Sequence, residues 1–253
     1  MRTLTRKRKH PAYLVQTAGL TAVLFCIAGA LSLAGAFSFL DWKLMDTAMR
    51  LHRSEPVHRD NVVFVCIDQK SIDFFDRDAQ ISWPWSRDFH GRLADYLASC
   101  GARAVVFDVI FSEQDIARDG LVRSETDDEF AAAIGQSGIT FLAGVGQEET
   151  LTGTVLRESP LFIDDPGYIG NDSGFIRFES TLLPLPKFAR NARGIGIANL
   201  EPDADGIHRR YPLVVKIGDR YAPSLGYSVV RELARAEGAP DPFERGLSEG
   251  VVD

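Results

Sequence analysis

The sequence predicts an α/β fold: an N-terminal transmembrane helix, then an α/β domain with a partly parallel sheet and a C-terminal half built from a hairpin and a helix. Three observations support this. A long uncharged run lies near the N-terminus, two strand-like runs flank a helical pattern, and a turn separates two later strand-like runs. We expect a basic tail over residues 1–11, the transmembrane helix over 12–38 and the α/β domain over 41–253.

The N-terminal run is long enough to cross a bilayer. No charged side chain occurs from Pro11 to Leu40, whereas a spanning helix needs ~20 apolar residues. Because basic flanks stay in the cytoplasm, we expect a single span in the inner (cell) membrane and a periplasmic or extracellular body. A cleaved signal peptide is the alternative, but its apolar part usually has only about 7–15 residues. The basic residues that precede the run are Arg2, Arg6, Lys7, Arg8 and Lys9.

The charge of the body argues against nucleic-acid binding. The chain has 28 basic and 35 acidic side chains, and five of the basic ones lie in the first ten residues. The remainder is therefore strongly acidic, whereas a nucleic-acid-binding domain needs a basic surface.

The first half of the body predicts a strand–helix–strand unit. "NVVFVCID" (Asn61–Asp68) and "RAVVFDVIF" (Arg103–Phe111) are continuous apolar, β-branched runs, typical of strands buried on both faces. Apolar residues at helical spacing lie between them, so we expect two parallel strands joined by a helix. A second helix, "DDEFAAAIGQSG", then leads into a third strand, "ITFLAGV".

The second half has a different pattern. Residues 147–171 are rich in Gly, Asp and Pro and predict a loop. The strand-like runs Gly194–Leu200 and His208–Gly218 flank "EPDADG", whose Asp205-Gly206 is a strong turn signal. "APSLGYSVVRELARA" predicts a helix with Ser224 near its N-cap.

The cysteines give no sign of a disulfide or a metal site. Cys26 lies in the membrane run, and Cys66 and Cys100 are expected towards opposite ends of the two predicted strands. A disulfide needs Cα atoms within about 7 Å, so we expect both to be small buried side chains. There is no CxxC and no Cys/His cluster, so we expect no metal and no cofactor.

Four acids are expected at or beyond the carboxyl ends of adjacent parallel strands, where α/β proteins bind ligands. They are Asp68, Asp108, Glu113 and Asp115. Asp108 interrupts an apolar strand and should have a buried partner. Arg87 is the main candidate, since a cation in a helix's first turn opposes the helix dipole. A structural ion pair is favoured over ligand sensing and Mg²⁺ chemistry. The candidate ligand-binding residues are Asp68, Arg87, Asp108 and Glu113.

No motif for catalysis is present. The sequence has no G-x-S-x-G, no phosphate loop and no H-E-x-x-H, and its five histidines show no ligand spacing. We therefore expect this segment not to be an enzyme. An exported metal-dependent hydrolase using Asp68 and Asp108, or a scaffold domain, remains the alternative.

Two short motifs are predicted to be structural. In "ISWPWSRDFH", Trp83 and Trp85 should pack at the entrance of the following helix, with Pro84 fixing the backbone between them. In "DADGIHRRYPL", Asp205 and Gly206 should form the turn, with Arg210 as an ordinary salt-bridge donor.

These motifs, in this order behind a membrane helix, resemble the CHASE2 domain over roughly residues 41–235. "WPWSR" resembles the family's Trp-Pro-Trp-Pro-Arg, with Ser86 replacing the second proline. "DADGIHRRYPL" resembles its Asp-Gly-x-x-Arg-Arg-x-Pro-Leu. The resemblance implies an extracytoplasmic sensor of a bacterial receptor that responds to an unknown extracellular stimulus. We also expect a homodimer through the membrane segment. In family members, further membrane helices and a cyclase, histidine kinase or serine/threonine kinase output follow, so we expect either a truncated segment or a natural stand-alone version.

Overall fold

A computed structural model describes residues 11–33, 35, 37–52, 61–116, 123–149, 161–163 and 175–241. The chain divides into two compact units, Met1–Ile67 and Asp68–Asp253. The helices are α1 (Pro11–Leu33), α2 (Ser38–Leu51), α3 (Gln69–Asp78), α4 (Arg87–Ser99), α5 (Arg123–Ser137), α6 (Pro186–Ala189) and α7 (Leu225–Ala236). The strands are β1 (Val105–Phe107), β2 (Thr140–Gln147), β3 (Arg177–Phe178), β4 (Ser180–Leu182), β5 (Gly194–Ile197), β6 (Val214–Ile217) and β7 (Arg220–Pro223).

The first unit contains the predicted membrane helix. α1 carries no charged side chain and is long and apolar enough over Val15–Leu33 to cross a membrane. α2 follows it and brings the first charges, among them Asp41 and Arg50.

The predicted first strand is absent. Val62–Ile67 adopts no regular secondary structure, and its side chains are exposed, Phe64 to 86%. An apolar, β-branched run becomes a strand only where neighbouring strands cover it and complete its hydrogen bonds. No strand of the described residues does so. The chain instead continues directly into α3, a helix that the sequence analysis did not predict.

The second unit has a mixed sheet, which confirms the predicted α/β fold with partly parallel strands. β2 lies at its centre, parallel to β1 on one side and to β5 on the other. The far end of β2 pairs with β4 in antiparallel orientation. β3, β6 and β7 form a separate sheet in which β6 and β7 are a hairpin.

Two main groups of buried apolar side chains hold this unit together. One joins α4 and α5 to β1 and β2, and its largest members are phenylalanines. The other lies between β5, the β6–β7 hairpin and the short β3. The fully buried aromatic side chains are Phe111, Phe130, Phe141 and Phe188.

The C-terminal helix starts against the sheet. Ser224 is the N-cap of α7, as expected, and forms a bridge with Ile197 of β5. A Cβ on Gly196 would lie 2.6 Å from both the amide nitrogen of Leu225 and the carbonyl oxygen of Ser224. The backbones of β5 and α7 are therefore in direct contact, with no room for a side chain between them.

Some predicted elements were too long or lie elsewhere. The strand predicted over 208–218 is confined to β6, because the preceding residues form an arginine-rich turn and contain Pro212, which lacks an N–H for strand pairing. The strand predicted over 103–111 is likewise only β1. Most of the loop predicted over 147–171 lies outside the described residues.

The cysteines are free and exposed. The prediction that Cys66 and Cys100 are buried is therefore wrong. Cys66 lies in the segment that did not form a strand, and Cys100 is the C-cap of α4 rather than part of a helix face packed on the sheet.

Candidate functional site

Buried polar side chains gather where the start of α4, the start of α5 and the loop after β1 meet. Asp127 is 1% exposed, Asp115 3%, Thr126 4% and His90 5%. Such groups are costly to bury unless they are hydrogen-bonded. We call this set the polar cluster; it consists of Ser86, Arg87, Asp88, His90, Asp115, Thr126 and Asp127.

Asp115 connects the three segments. Its Oδ2 accepts hydrogen bonds from the backbone N–H of Arg87 at 2.9 Å and from Oγ1 of Thr126 at 2.8 Å. Its Oδ1 accepts from the backbone N–H of Ile116 at 2.7 Å. The N–H of Arg87 is one of the first four of α4, which lack partners within the helix. Asp115 thus caps α4 from a distant loop, where a negative charge also complements the helix dipole.

Asp127 is the most deeply buried acid. Its Oδ1 accepts the backbone N–H of Asp115 at 3.3 Å, and its Oδ2 has no hydrogen-bond partner among the described residues. Burial raises the pKa of the Asp127 carboxyl, a change that the hydrogen bond from Asp115 and the charges of Lys187 and Arg87 oppose. The cluster therefore holds a carboxyl that resists ionisation beside one that is fully hydrogen-bonded.

His90 lies in an aromatic pocket. Its ring centroid is 5.4 Å from that of Phe111 and 6.1 Å from those of Phe107 and Phe130. Nδ1 lies 3.3 Å from the carbonyl oxygen of Ser86, to which it can donate. Burial lowers the pKa of His90, since the pocket offers little solvation to the charged ring. The hydrogen bond with Ser86 and the carboxylates of Asp115 and Asp88 oppose this, while Arg87 adds to it.

Arg87 lies in the cluster, but its partner is not the predicted one. Its guanidinium carbon is 4.7 Å from the centre of the Phe111 ring, and Nη2 donates to the Glu113 carbonyl oxygen at 3.4 Å. Asp108 is exposed and makes no ion pair with Arg87 in the described structure. The predicted buried pair is therefore wrong. Side chains alternate along an extended strand, so Asp108 shares the exposed side of β1 with Val106.

Asp68 also lies outside the cluster. It is the exposed N-cap of α3 and accepts from Ser71 through the backbone N–H at 2.9 Å and through Oγ at 2.7 Å. The hydrogen bond from the Ser71 side chain, followed by that from its backbone, lowers the pKa of Asp68. The described residues 61–67 that lead to Asp68 form no strand, so Asp68 does not end one as predicted.

The structure thus brings together only part of the predicted site. Of the four candidate ligand-binding residues, Arg87 and Glu113 are in contact, and Glu113 contributes only its carbonyl oxygen while its side chain is exposed. Thr126 and Asp127 were missed, although a Thr-Asp-Asp run opening a helix is a signal that they lie at a helix start. In the described part of the chain, no three His, Cys, Asp or Glu side chains are placed to hold a metal ion.

An open groove between α4 and α5 adjoins the cluster. Half of its lining residues are charged. One of them, Asp88, belongs to both the groove and the cluster, since its Oδ2 accepts a hydrogen bond from Arg92 at 2.8 Å while its Oδ1 accepts one from Ser86. Gly91 lets the two helices approach closely, because a Cβ there would lie 3.2 Å from the Cβ of Ala133. The other polar residues of the groove are Asp95, Glu129 and Gln136.

Comparison with known protein families assigns the chain to one of them. The family described as "CHASE2 domain" matches residues 20–249, which is most of the sequence. The chain belongs to the CHASE2 domain family. The match confirms the resemblance seen in the sequence motifs. CHASE2 domains are extracytoplasmic sensors and not catalytic domains. No curated protein and no solved structure matches the chain.

The Trp-Pro-Trp motif of this CHASE2 domain packs on helices rather than on the sheet. Trp85 is buried, with its ring centroid 4.8 Å from that of Phe75 on α3 and 5.5 Å from that of Phe89 on α4. Trp83 contacts Trp85 edge-to-face at 5.2 Å but is 45% exposed. The peptide bond between Trp83 and Pro84 is cis. The motif therefore joins α3 to the start of α4.

The Asp-Ala-Asp-Gly motif is a turn stabilised by an arginine. The Arg209 side chain is only 3% exposed and donates to Asp205 at 2.7 and 2.8 Å and to Asp203 at 3.0 Å. The hydrogen bonds from Arg209 lower the pKa of Asp205 to about 2. Arg210, expected to be the salt-bridge donor, is largely exposed and pairs with Asp203 at 3.3 Å. Gly206 has a φ of +80°, which favours glycine at this turn.

Proposed function

We propose that this CHASE2 domain is a membrane-anchored extracytoplasmic sensory module that regulates a cytoplasmic output in a bacterial receptor. The observation that carries the proposal is the family match over residues 20–249. The basic tail and the charge-free α1 support an inner-membrane anchor with the body on the periplasmic or extracellular side. An adenylate or guanylate cyclase, or a protein kinase, is the output that we propose.

We propose that the stimulus acts at the polar cluster and the adjoining groove. Sensing requires a site whose occupation favours one of two conformations. The carboxylate of Asp115 links α4, α5 and the loop after β1 through hydrogen bonds, in addition to the apolar packing of the two helices. A ligand that engaged the Arg87 guanidinium or the Glu113 carbonyl oxygen would compete with the hydrogen bond between them and would shift the start of α4. Arg87 and Glu113 are thus the proposed binding residues, and Asp115 is the positioning residue.

We further propose that the receptor is a homodimer through its membrane segment. A helix that is apolar on all sides can pair with a second copy, and two sensor bodies held side by side can convert a small shift of α4 into a relative movement of two output domains. α2 follows the membrane segment along the chain and would be the first element to carry such a movement.

A chimeric receptor tests the sensory role. The chain, with its membrane segment, is joined to an adenylate cyclase domain through a second membrane-spanning helix that leads back into the cytoplasm. Cyclic AMP is then measured while the external pH, the ionic strength and the supply of small molecules are varied. We expect the output to change with at least one condition, and the Asp115→Asn receptor to lose that response while remaining in the membrane. The matched control is Asp241→Asn, which alters an acid at the opposite end of the second unit's sequence. An output that ignores every condition, in a chimera whose catalytic domain is active, would contradict the proposal.

Turnover assays test the rival hydrolase function. The purified chain is expected to show no phosphatase, esterase or nucleotide-converting activity, with or without Mg²⁺. Reproducible turnover that disappears in Asp68→Asn or Asp108→Asn would instead support a hydrolase. Asp95→Asn, an exposed acid in the groove between α4 and α5, serves as the control for a general effect of charge.

A further inference from the structure

The polar cluster contains ionisable side chains on two helices that are almost completely buried. His90 of α4 is 5% exposed and Asp127 of α5 is 1% exposed. A molecular ligand needs a surface or a cavity to bind, whereas a proton reaches a buried group whenever the structure opens locally for a moment. The two side chains can therefore respond to the acidity of the medium without contact with a larger ligand.

The arrangement seen in the structure, called here the closed arrangement, favours the neutral form of His90. Burial among three phenylalanine rings, with centroids within 6.1 Å of that of the imidazole, is the largest influence and lowers the pKa of His90. His90 also ends the first turn of α4, where the positive end of the helix dipole opposes a further positive charge. A proton on this ring therefore disfavours the closed arrangement.

The carboxyls of the junction offer a charged His90 no strong partner. Asp115 already accepts three hydrogen bonds. Burial raises the pKa of the Asp127 carboxyl, which is thus costly to ionise and a poor counter-ion. The charged groups around this part of the junction are Arg87 and Asp88 of α4, Asp115 of the loop after β1, Asp127 of α5 and Lys187 of α6.

We propose that the proton is a stimulus of this CHASE2 domain: in an acidic medium His90 is protonated and leaves its aromatic pocket, and the start of α4 separates from α5 and from the loop after β1. This inference rests on the proposed sensory function and names the stimulus. The charged ring is better solvated in water, so each bound proton favours the open arrangement.

The packing beside His90 explains why α4 would move with the ring. A Cβ on Gly91 would lie 3.2 Å from the Cβ of Ala133 and 3.4 Å from the Cα of Phe130, so the two helices are in close contact there. The ring therefore has little room to turn outwards between them. His90 is also hydrogen-bonded to the carbonyl oxygen of Ser86, the N-cap of α4. Expulsion of the ring is thus expected to displace the first turn of the helix.

The proposed response has a defined pH range. In the open arrangement His90 has its ordinary pKa of about 6.5. Below that pH, and until the lower pKa of the closed arrangement is reached, the ratio of open to closed molecules rises by up to about tenfold per pH unit. Above about pH 6.5 the ring is neutral in both arrangements, so the ratio stays constant.

Hydrogen exchange of the full-length chain in detergent micelles measures this opening. Exchange is followed by mass spectrometry between about pH 7.5 and 5.5 and corrected for the chemical exchange rate at each pH. Backbone amides at the start of α4 should lose up to about tenfold of their protection per pH unit below about pH 6.5, whereas amides of β5 should not.

Two variants and one control assign the effect to His90. His90→Phe fills the pocket with a ring that does not titrate, and His90→Gln keeps a neutral donor for the carbonyl oxygen of Ser86. Both should abolish the pH dependence at the start of α4. His208→Gln, which replaces an exposed histidine, should retain it.

The chimeric receptor tests whether the opening acts as a signal. Cyclic AMP should change when the external pH is lowered from about 7.5 to 5.5. The change should disappear in His90→Phe and His90→Gln and persist in His208→Gln.

The outcomes separate this inference from the sensory function on which it rests. The inference is wrong if the start of α4 shows no added exchange in acid, or if both His90 variants keep it. It is also wrong if the chimera responds to another external condition but not to pH, or if both His90 variants respond to pH like the parent. Those results leave the sensory function in place, whereas a chimera that responds to no condition contradicts both.

Discussion

At the level of single residues, Asp115 is the side chain on which the α4–α5 junction depends. Asp115→Ala would leave the partly buried N–H of Arg87 and the buried hydroxyl of Thr126 without this acceptor. Each buried donor left unsatisfied costs about 1–3 kcal/mol, so we expect the free energy of unfolding to fall by about 2 kcal/mol or more. Urea denaturation followed by circular dichroism measures this.

Glu113→Ala is the matched control for that prediction. Glu113 is in the same loop, but its side chain is exposed and its contact with Arg87 is made by the backbone. Its removal should change the unfolding free energy by less than about 0.5 kcal/mol. Equal losses in the two variants would show that the loop, and not the buried carboxylate, stabilises the junction.

His90 predicts how stability depends on pH. Burial lowers its pKa in the folded protein, whereas the unfolded value is about 6.5. The unfolded chain therefore binds the proton first, and stability that is present above about pH 6.5 is lost as the pH falls towards the folded pKa. Melting temperatures between about pH 7.5 and 5 should show the decline. In His90→Phe it should be smaller, because the aromatic pocket no longer contains a titrating ring.

His208→Gln is the control, since His208 is an exposed histidine. It should reproduce the pH dependence of the parent chain. If it flattened the profile as much as His90→Phe does, the lost stability could not be assigned to the buried ring.

At the level of elements, the Trp-Pro-Trp motif predicts two different responses. Trp85→Ala removes a buried ring that contacts both Phe75 and Phe89, and such a change typically costs ~3–5 kcal/mol. Trp83→Ala removes a ring that is nearly half exposed, so we expect a clearly smaller loss. Thermal unfolding of the two variants distinguishes them. An equal or larger loss for Trp83→Ala would show that its exposed face is covered by a partner.

The same scale shows what the sequence could and could not predict. The sequence predicts three of the observed elements, α5, β2 and α7. Each has a clear apolar pattern of its own and packs against a neighbouring element of the same chain. The run Val62–Ile67 has an equally clear strand pattern, but the strand predicted there is absent. A strand also requires a partner edge, which the local sequence does not specify. The polar cluster was only partly foreseen because Asp115, Thr126 and Arg87 meet through tertiary contacts.

The Asp108 error has a related cause. An acid within an apolar run suggests a buried carboxylate only if the run is a central strand. β1 is three residues long and at the edge of its sheet, so the acid that follows it is exposed. Strand patterns alone do not distinguish edge from centre.

At the level of the whole molecule, the charge distribution predicts topology. A reporter that is active only outside the cytoplasm, fused after Asp253, should be active because a basic tail favours a cytoplasmic N-terminus. A cytoplasmic reporter at the same position should be inactive. Exchanging Arg6, Lys7, Arg8 and Lys9 for glutamates should weaken this preference, and the reverse pattern in the unaltered chain would show that the orientation is wrong.

The direct backbone contact at Gly196 has a consequence for how the protein can move. Because no side chain separates β5 from the first turn of α7, the start of the helix cannot slide or roll over the sheet by adjusting side-chain rotamers. Any movement of β5 is therefore passed directly to the first turn of α7, and the reverse also holds. Even a single added methyl group at position 196 would force the backbones of β5 and α7 apart and weaken this coupling.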